Sequence, residues 1–314
     1  MLSRTADHLF WMSRQIERAE SLARILDAHY RHTLLPHTAD VVARDWRATL
    51  GSLGVLDAYL ARYDEFSPAT AYQFIAFDRD HGGSIVSSLW QARENARAVR
   101  GTITSEMWET LNSTWLEIRS YEPDTSDGAI GDFLEWVRYR SHLSRGVTLG
   151  TMLRDEAFRF TRIGTFLEGA DGTARMLLAR ARRGFAPADD PAGPDAYVWT
   201  LLLRSLSAFE VYRKVYRDAV TPWRVTELLV LRDDLPRSLH RCTNEVYTNL
   251  CAIANDQSAE TERRAGELHG AFRFGRLEQL LAPGLTDFLE LFLERVRDLG
   301  GRIAHDFLVP ATGF

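Results

Sequence analysis

Glu17, Glu20 and Arg24 lie within eight residues of one another on the first helical stretch. Positions i and i+4 adjoin on an α-helix, so Glu20 reaches Arg24, and Glu17 sits one turn back on roughly the same side. The same types return as Glu168, Asp171 and Arg175. If the two helices pack together, four acids and two guanidinium groups converge. Such a cluster can hold a cation, an amine or the charged ends of a peptide. In an enzyme, Glu17, Glu20 or Glu168 would be the general base, and Arg24 or Arg175 would hold an anionic intermediate. Ordinary helix salt bridges, worth roughly a few tenths of a kcal/mol each, explain the same residues without a ligand. So does a buried charge ladder that sets packing register.

Other constellations carry weaker signals. Arg93, Arg97 and Arg100 share a helix face and could clamp a phosphate or carboxylate, or form a solvated basic face, with Glu94 and Asn95 pointing elsewhere. Asp155 precedes Glu168 by 13 residues, nearly four turns of one long helix, and stays remote from it unless that helix breaks at Gly164. Asp27, His29, His32 and His37 form the histidine-rich patch. His29 and His32 could share a metal, but histidines at a helix end suit the macrodipole without one. No Glu-x-x-His pair of a di-iron bundle occurs, and no zinc-protease, nucleophile-elbow or dinucleotide-binding motif. The sequence implies no cofactor.

Composition narrows the classes further. The chain has 314 residues, 45% of them apolar and 26% charged, ordinary globular values. A net charge of −5 argues against a general nucleic-acid binder. Lys214 is the sole lysine and has no phosphate-loop context, so Schiff-base or phosphate-loop chemistry is not expected. Cys242 and Cys251, nine residues apart on a helix, would be about 13 Å apart along the axis, too far for a disulfide. Both read as small buried apolar residues in a reducing compartment. No apolar run is long enough to span a membrane, so a cytoplasmic location is expected.

The elements that must position these groups are helices. Leu9, Met12, Ile16, Ala19, Ala23, Leu26 and Tyr30 recur at three- and four-residue steps, while Phe10 and Trp11 fall off that stripe. This predicts a first helix covered on more than one side. Similar periods predict helices over 41–64, 83–100, 104–119, 130–145, 147–183, 195–218, 222–232, 235–255, 259–281 and 284–308. Pro36, Ser67–Pro68, Gly82–Gly83, Pro123–Asp124 and Pro283–Gly284 read as turns, and 184–194 as a proline-rich surface loop.

The two halves also align. Glu17, Ala19, Ala23, Arg24 and Leu26 meet Glu168, Ala170, Ala174, Arg175 and Leu177 at an offset of 151. Trp46, Ser52 and Tyr59 meet Trp199, Ser205 and Tyr212 at 153; Asp80, Ser84 and Asn95 meet Asp234, Ser238 and Asn249 at 154. Asp132–Phe133–Leu134–Glu135 meets Asp287–Phe288–Leu289–Glu290 at 155. Collinear matches with so small a drift predict an internal repeat, about 1–150 and 151–314, within one all-α domain spanning 1–314. Two such bundles are expected to pack about a pseudo-twofold axis with the Glu/Arg helices as the central pair. A groove near that axis is the first place to seek a site.

Several blocks resemble the bacterial alpha-E domain family. They are Met1 to Trp11, which includes Arg4, then Arg14, Glu17–Arg18–Ala19–Glu20, Ala23–Arg24 and Glu94–Asn95–Ala96–Arg97. Ser105 to Asn112, Thr151 to Asp155, and Trp199 with Tyr212 complete the set, which spans most of the chain. The resemblance implies a helical fold. It also implies binding roles for Arg4, Arg14, Arg18, Arg24, Glu94, Asn95, Arg97 and Asp155, and Asp171 and Arg175 join these candidates as the second copy of Glu20 and Arg24. Such proteins are typically encoded beside circularly permuted ATP-grasp proteins and transglutaminase-like proteases, which implies a part in making or processing a peptide or amide-linked product. This chain departs from the pattern at Gly169, where the second copy lacks a counterpart of Arg18. The leading expectation is an auxiliary or binding component of an ATP-grasp peptide or amide ligase system. The alternatives are an enzyme working through a central Glu/Arg site and a metal-binding helical bundle.

Overall fold

The computed structural model describes residues 1–33, 39–64, 66–121, 124, 127–182 and 194–308. Pro36, His37, Pro123 and the 184–193 stretch lie outside these, as does the side chain of His32. The described residues form helices and no strand. The first half carries α1 (Ser3–Thr33), α2 (Ala39–Leu53), α3 (Leu56–Leu60), α4 (Pro68–Ala76), α5 (Ile85–Ala98), α6 (Ser105–Arg119) and α7 (Asp127–Thr151). The second carries α8 (Glu156–Ala181), α9 (Pro194–Ser205), α10 (Phe209–Tyr216), α11 (Pro222–Leu231) and α12 (Leu239–Cys251). It ends with α13 (Ala259–Phe274), α14 (Leu277–Leu280) and α15 (Leu285–Phe307).

Local chemistry explains where the helices depart from the periodic expectation. The stretch 41–64 divides at Gly54, whose φ of +73° suits glycine. The stretch 195–218 divides at Ser207, also at positive φ, and 259–281 divides between α13 and α14. Ser67–Pro68 is a helix start rather than a plain turn. Ser67 accepts the Thr70 N–H, Pro68 occupies the first turn, and α4 buries Tyr72, Phe74 and Ile75. The break expected near 146 falls instead at Met152–Asp155. Cys242 is buried as expected but Cys251 is exposed, so only the first is a core residue.

α1 runs along α8 at the centre of the molecule. α5 and α7 pack on α1, and α12 and α15 pack on α8 in the same relation. α9 crosses onto α1 and α2 onto α8. Individual contacts correspond as well. Ser84 and Ser238 cap α5 and α12, Trp46 and Trp199 are buried, and Tyr59 and Tyr212 are fully buried. The small residues Gly164 and Gly172 let α1 and α8 approach closely. A Cβ on Gly164 would run into the Phe10 carbonyl and Ser13, and one on Gly172 would lie 2.5 Å from the Ser21 hydroxyl. No helix among the described residues is long and apolar enough to cross a membrane.

Candidate functional site

Glu17 and Arg18 are consecutive on α1, so their side chains leave the helix about 100° apart. That one step divides the charges into two sets, one on each side of the α1–α8 contact.

The first set is closed. Glu17 accepts from Arg237 Nη1 at 2.6 Å and from Arg145 Nη2 at 2.7 Å. Glu20 accepts from Arg145 at 2.6 Å and from Arg24 at 2.7 Å, and also pairs with Arg237. Arg24 donates onward to the Ser205 carbonyl at 2.5 Å. Glu20 is fully buried and Arg24 is 1% exposed. Burial pushes the Glu20 carboxyl up, but Arg237, Arg145 and Arg24 outweigh it and hold it well below the ordinary carboxylate range. Burial, then the charge of Arg237, push the Arg24 guanidinium down to about 10, against the pull of Glu20 and Glu17. The cavity beside this set, bordered by Glu17, Arg145, Arg162 and Thr165, is only about 30 Å³.

The second set is open. Glu168 accepts from Arg14 Nη2 at 2.6 Å and from Arg18 Nε at 2.6 Å. Burial raises its carboxyl, and Arg14 and Arg18 outweigh that, leaving it at about 2. Asp171 pairs with Arg175 at 2.5 Å, and Arg175 Nη1 donates to the Ser52 carbonyl at 2.6 Å. That bond matches Arg24 to Ser205 in the first set, at the register the sequence alignment assigns. A cavity of about 510 Å³ opens against these groups, with Trp11, His81, Gly83, Arg297 and Gly300 also in its wall. Burial depresses the His81 imidazole, favouring its neutral form.

The difference traces to two positions. Ser84 and Ser238 correspond as helix caps, so Gly83 stands where the other half has Arg237. Asp132 and Asp287 correspond, so Gly300 stands where the other half has Arg145. By the same register Arg297 answers His142, and Thr165 and Gly169 answer Arg14 and Arg18.

The expected six-residue convergence therefore does not occur: Glu17, Glu20 and Arg24 form one set, and Glu168, Asp171 and Arg175 belong to another. Arg14 and Arg18, taken from the resemblance, join Glu168. Arg4 is exposed at the start of α1, away from both sets. Asp155 is the N-cap of α8, accepting from Phe158 N–H at 3.2 Å, nearly four helical turns before Glu168. Glu94 does not point away from its neighbours. It pairs with Arg97 at 2.7 Å and with Arg93, while Arg93 and Arg100 lie over the Trp108 ring. These arginines are occupied rather than poised as an anion clamp. Asn95 bonds His8 at 2.8 Å on α1. His29 stacks on Trp46 and bonds Thr49. No group of three His, Cys, Asp or Glu among the described residues could hold a metal ion. Arg145, Arg237, Gly83 and Gly300 escaped the sequence reading, which followed matches between the halves. The mismatches were the signal.

This architecture, a bundle built on a central helix carrying a Glu–Arg step whose Glu is buried and whose Arg is half-buried, defines a helical domain class. The chain belongs to the Alpha-E family, described as a predicted alpha-helical domain with a conserved ER motif, which it matches over residues 1–308. Three Glu–Arg steps occur here; Glu262–Arg263 and Glu294–Arg295 lie toward the surface, and Glu17–Arg18 lies at the centre. An uncharacterized protein of Mycobacterium bovis is 25% identical over 304 residues, covering 90% of this chain and 34% of that protein. An uncharacterized protein of Mycobacterium tuberculosis is 24% identical with the same coverage. The chain thus spans about a third of the length of the curated relatives it matches. No solved structure matches it.

Proposed function

We propose that the chain is a non-catalytic binding component of an ATP-grasp-type peptide or amide ligase system. It works in the cytoplasm with an ATP-grasp ligase-like protein and a transglutaminase-like protein. The observation that carries the non-catalytic reading is the state of the acids. Glu17, Glu20 and Glu168 are each paired with at least two guanidinium groups. A general base works best with a pKa near the operating pH, whereas Glu20 and Glu168 are held far below it. This state of Glu20 and Glu168 favours the binding reading over the enzyme one. The family resemblance supports the partners, and the longer relatives suit a module that acts alongside other domains.

A tagged copy of the chain, expressed with an ATP-grasp ligase-like protein from the same genome, is expected to retain that protein on purification. Glu17→Gln is expected to change product formation only in proportion to the amount of folded chain. Failure to copurify, together with unchanged product when the chain is absent, sinks the proposal. A folded Glu17→Gln protein that still binds its partner but yields no product would make the chain an enzyme.

A further inference from the structure

The open cavity runs beside α1 from Trp11 past Arg14 and Arg18 to Leu22 and Ile25. The fourteen helical steps from Trp11 to Ile25 span about 20 Å, so the space is elongated. Its volume of about 510 Å³ lies in the range of small-ligand sites. The two ends differ in chemistry. Toward Trp11 the wall holds Arg14 and Arg18; toward Ile25 it holds Leu53, Val55 and Ile75, with Arg175 there turned onto Asp171 and the Ser52 carbonyl.

The charge does not balance inside the chain. Arg14, Arg18, Arg175 and Arg297 line the cavity against two carboxylates, Glu168 and Asp171. Arg297 is exposed and has no ion-pair partner among the described residues. Arg14 and Arg18 use Nε and Nη2 on Glu168. Among the described residues, Nη1 of each has no hydrogen-bond partner. Two guanidinium edges held rigidly by a buried acid, each with one donor nitrogen left over, suit a single carboxylate. Asp171 is 21% exposed, and its carboxylate can accept further N–H donors beyond those of Arg175. In the other half Arg145 and Arg237, at the matching positions, lie on Glu17 and Glu20. Here Gly83 and Gly300 bring no side chain into the cavity, and the His81 ring lies beside Gly83.

We infer that this cavity binds the free C-terminus of a short apolar peptide, with the carboxylate on Arg14 and Arg18, a backbone N–H on Asp171 and apolar side chains toward Ile25. This deepens the proposed function and rests on its reading of the chain as a binding component. The test below uses the purified chain alone, so its failure is separable from a failure to copurify with a ligase.

Isothermal titration would compare N-acetyl-trileucine with a free carboxylate, the same peptide as its C-terminal amide, and decanoate. The acid is expected to bind at least tenfold more tightly than the amide. Gly300→Met, which fills the cavity without adding charge, is expected to abolish binding while the protein stays folded. Arg18→Gln, which removes a carboxylate donor, is expected to remove the preference for acid over amide. Equal affinity for acid and amide overturns the inference, as does no binding of the acid or unchanged binding by Gly300→Met. Decanoate binding more tightly than the peptide would assign the apolar end to an acyl chain and overturn the peptide reading.

Discussion

The acid pairs of α1 and α8 occupy corresponding places and meet opposite fates. Beside Glu17 and Glu20 two arginines from α7 and the α12 cap fill the space, leaving about 30 Å³. Beside Glu168 and Asp171 glycines stand at those places, leaving about 510 Å³. The charge on Glu168 is instead met by Arg14 and Arg18 from the facing helix. The acids are held in both halves, and the space around them is not. Thus the closed side ties α1, α7 and the α12 cap together, and the open side offers room for a ligand.

Replacing acids tests this contrast most forcefully. Glu20→Ala leaves Arg24, Arg145 and Arg237 crowded around a lost carboxylate. Breaking a buried pair this way costs roughly 3–5 kcal/mol, read as a large shift of the urea midpoint. Asp171→Ala removes a partly exposed partner, and its cost is expected to stay below about 1 kcal/mol. Equal losses would erase the distinction between the two sides. Gly164→Ala probes the helix contact that both sides share. Its methyl meets the Phe10 carbonyl, a backbone atom that cannot rotate away, so a loss of about 1–3 kcal/mol is expected in thermal or urea unfolding.

Acid titration reads the carboxylates themselves. Glu20 and Glu168 are depressed from an ordinary value of 4.5, and Glu168 lies at about 2. A depressed carboxyl contributes stability above its unfolded value and loses it as pH falls toward the folded one. Stability should therefore be level on this account above about pH 5 and fall between about 4.5 and 2. Glu168→Gln should start less stable and show a shallower fall over that window. A slope unchanged by the substitution would mean that Glu168 is not held by Arg14 and Arg18.

Much of this was legible in the chain. The steps from Leu9 to Tyr30 predict α1, and Ser84 and Ser238, paired by offset in the sequence, both cap helices. Helical period is a local property, so local residues suffice to read it. The site was less legible. Arg145 reaches Glu17 across 128 residues, and Arg237 reaches it across 220. No spacing rule connects groups on separate helices. The consecutive Glu17 and Arg18 also serve different sets, which a view of one helix face hides. Gly83 and Gly300 carry no side chain at all; their meaning appears only against Arg237 and Arg145. Ser67–Pro68 misled for a simpler reason, since serine before proline suits a turn and a helix start equally.

The most direct test sets Arg145→Met beside Gly300→Met in urea denaturation. The two positions correspond, and both variants present one unbranched apolar side chain. Arg145→Met strips a guanidinium from two buried carboxylates and is expected to lose roughly 2–4 kcal/mol. Gly300→Met puts its Cβ in ordinary contact with Leu167 and the Arg14 guanidinium, extends into the cavity and gives a helix a better former, so it is expected to change stability by less than about 1 kcal/mol. Losses of similar size at both positions would contradict the division into a closed side and an open one.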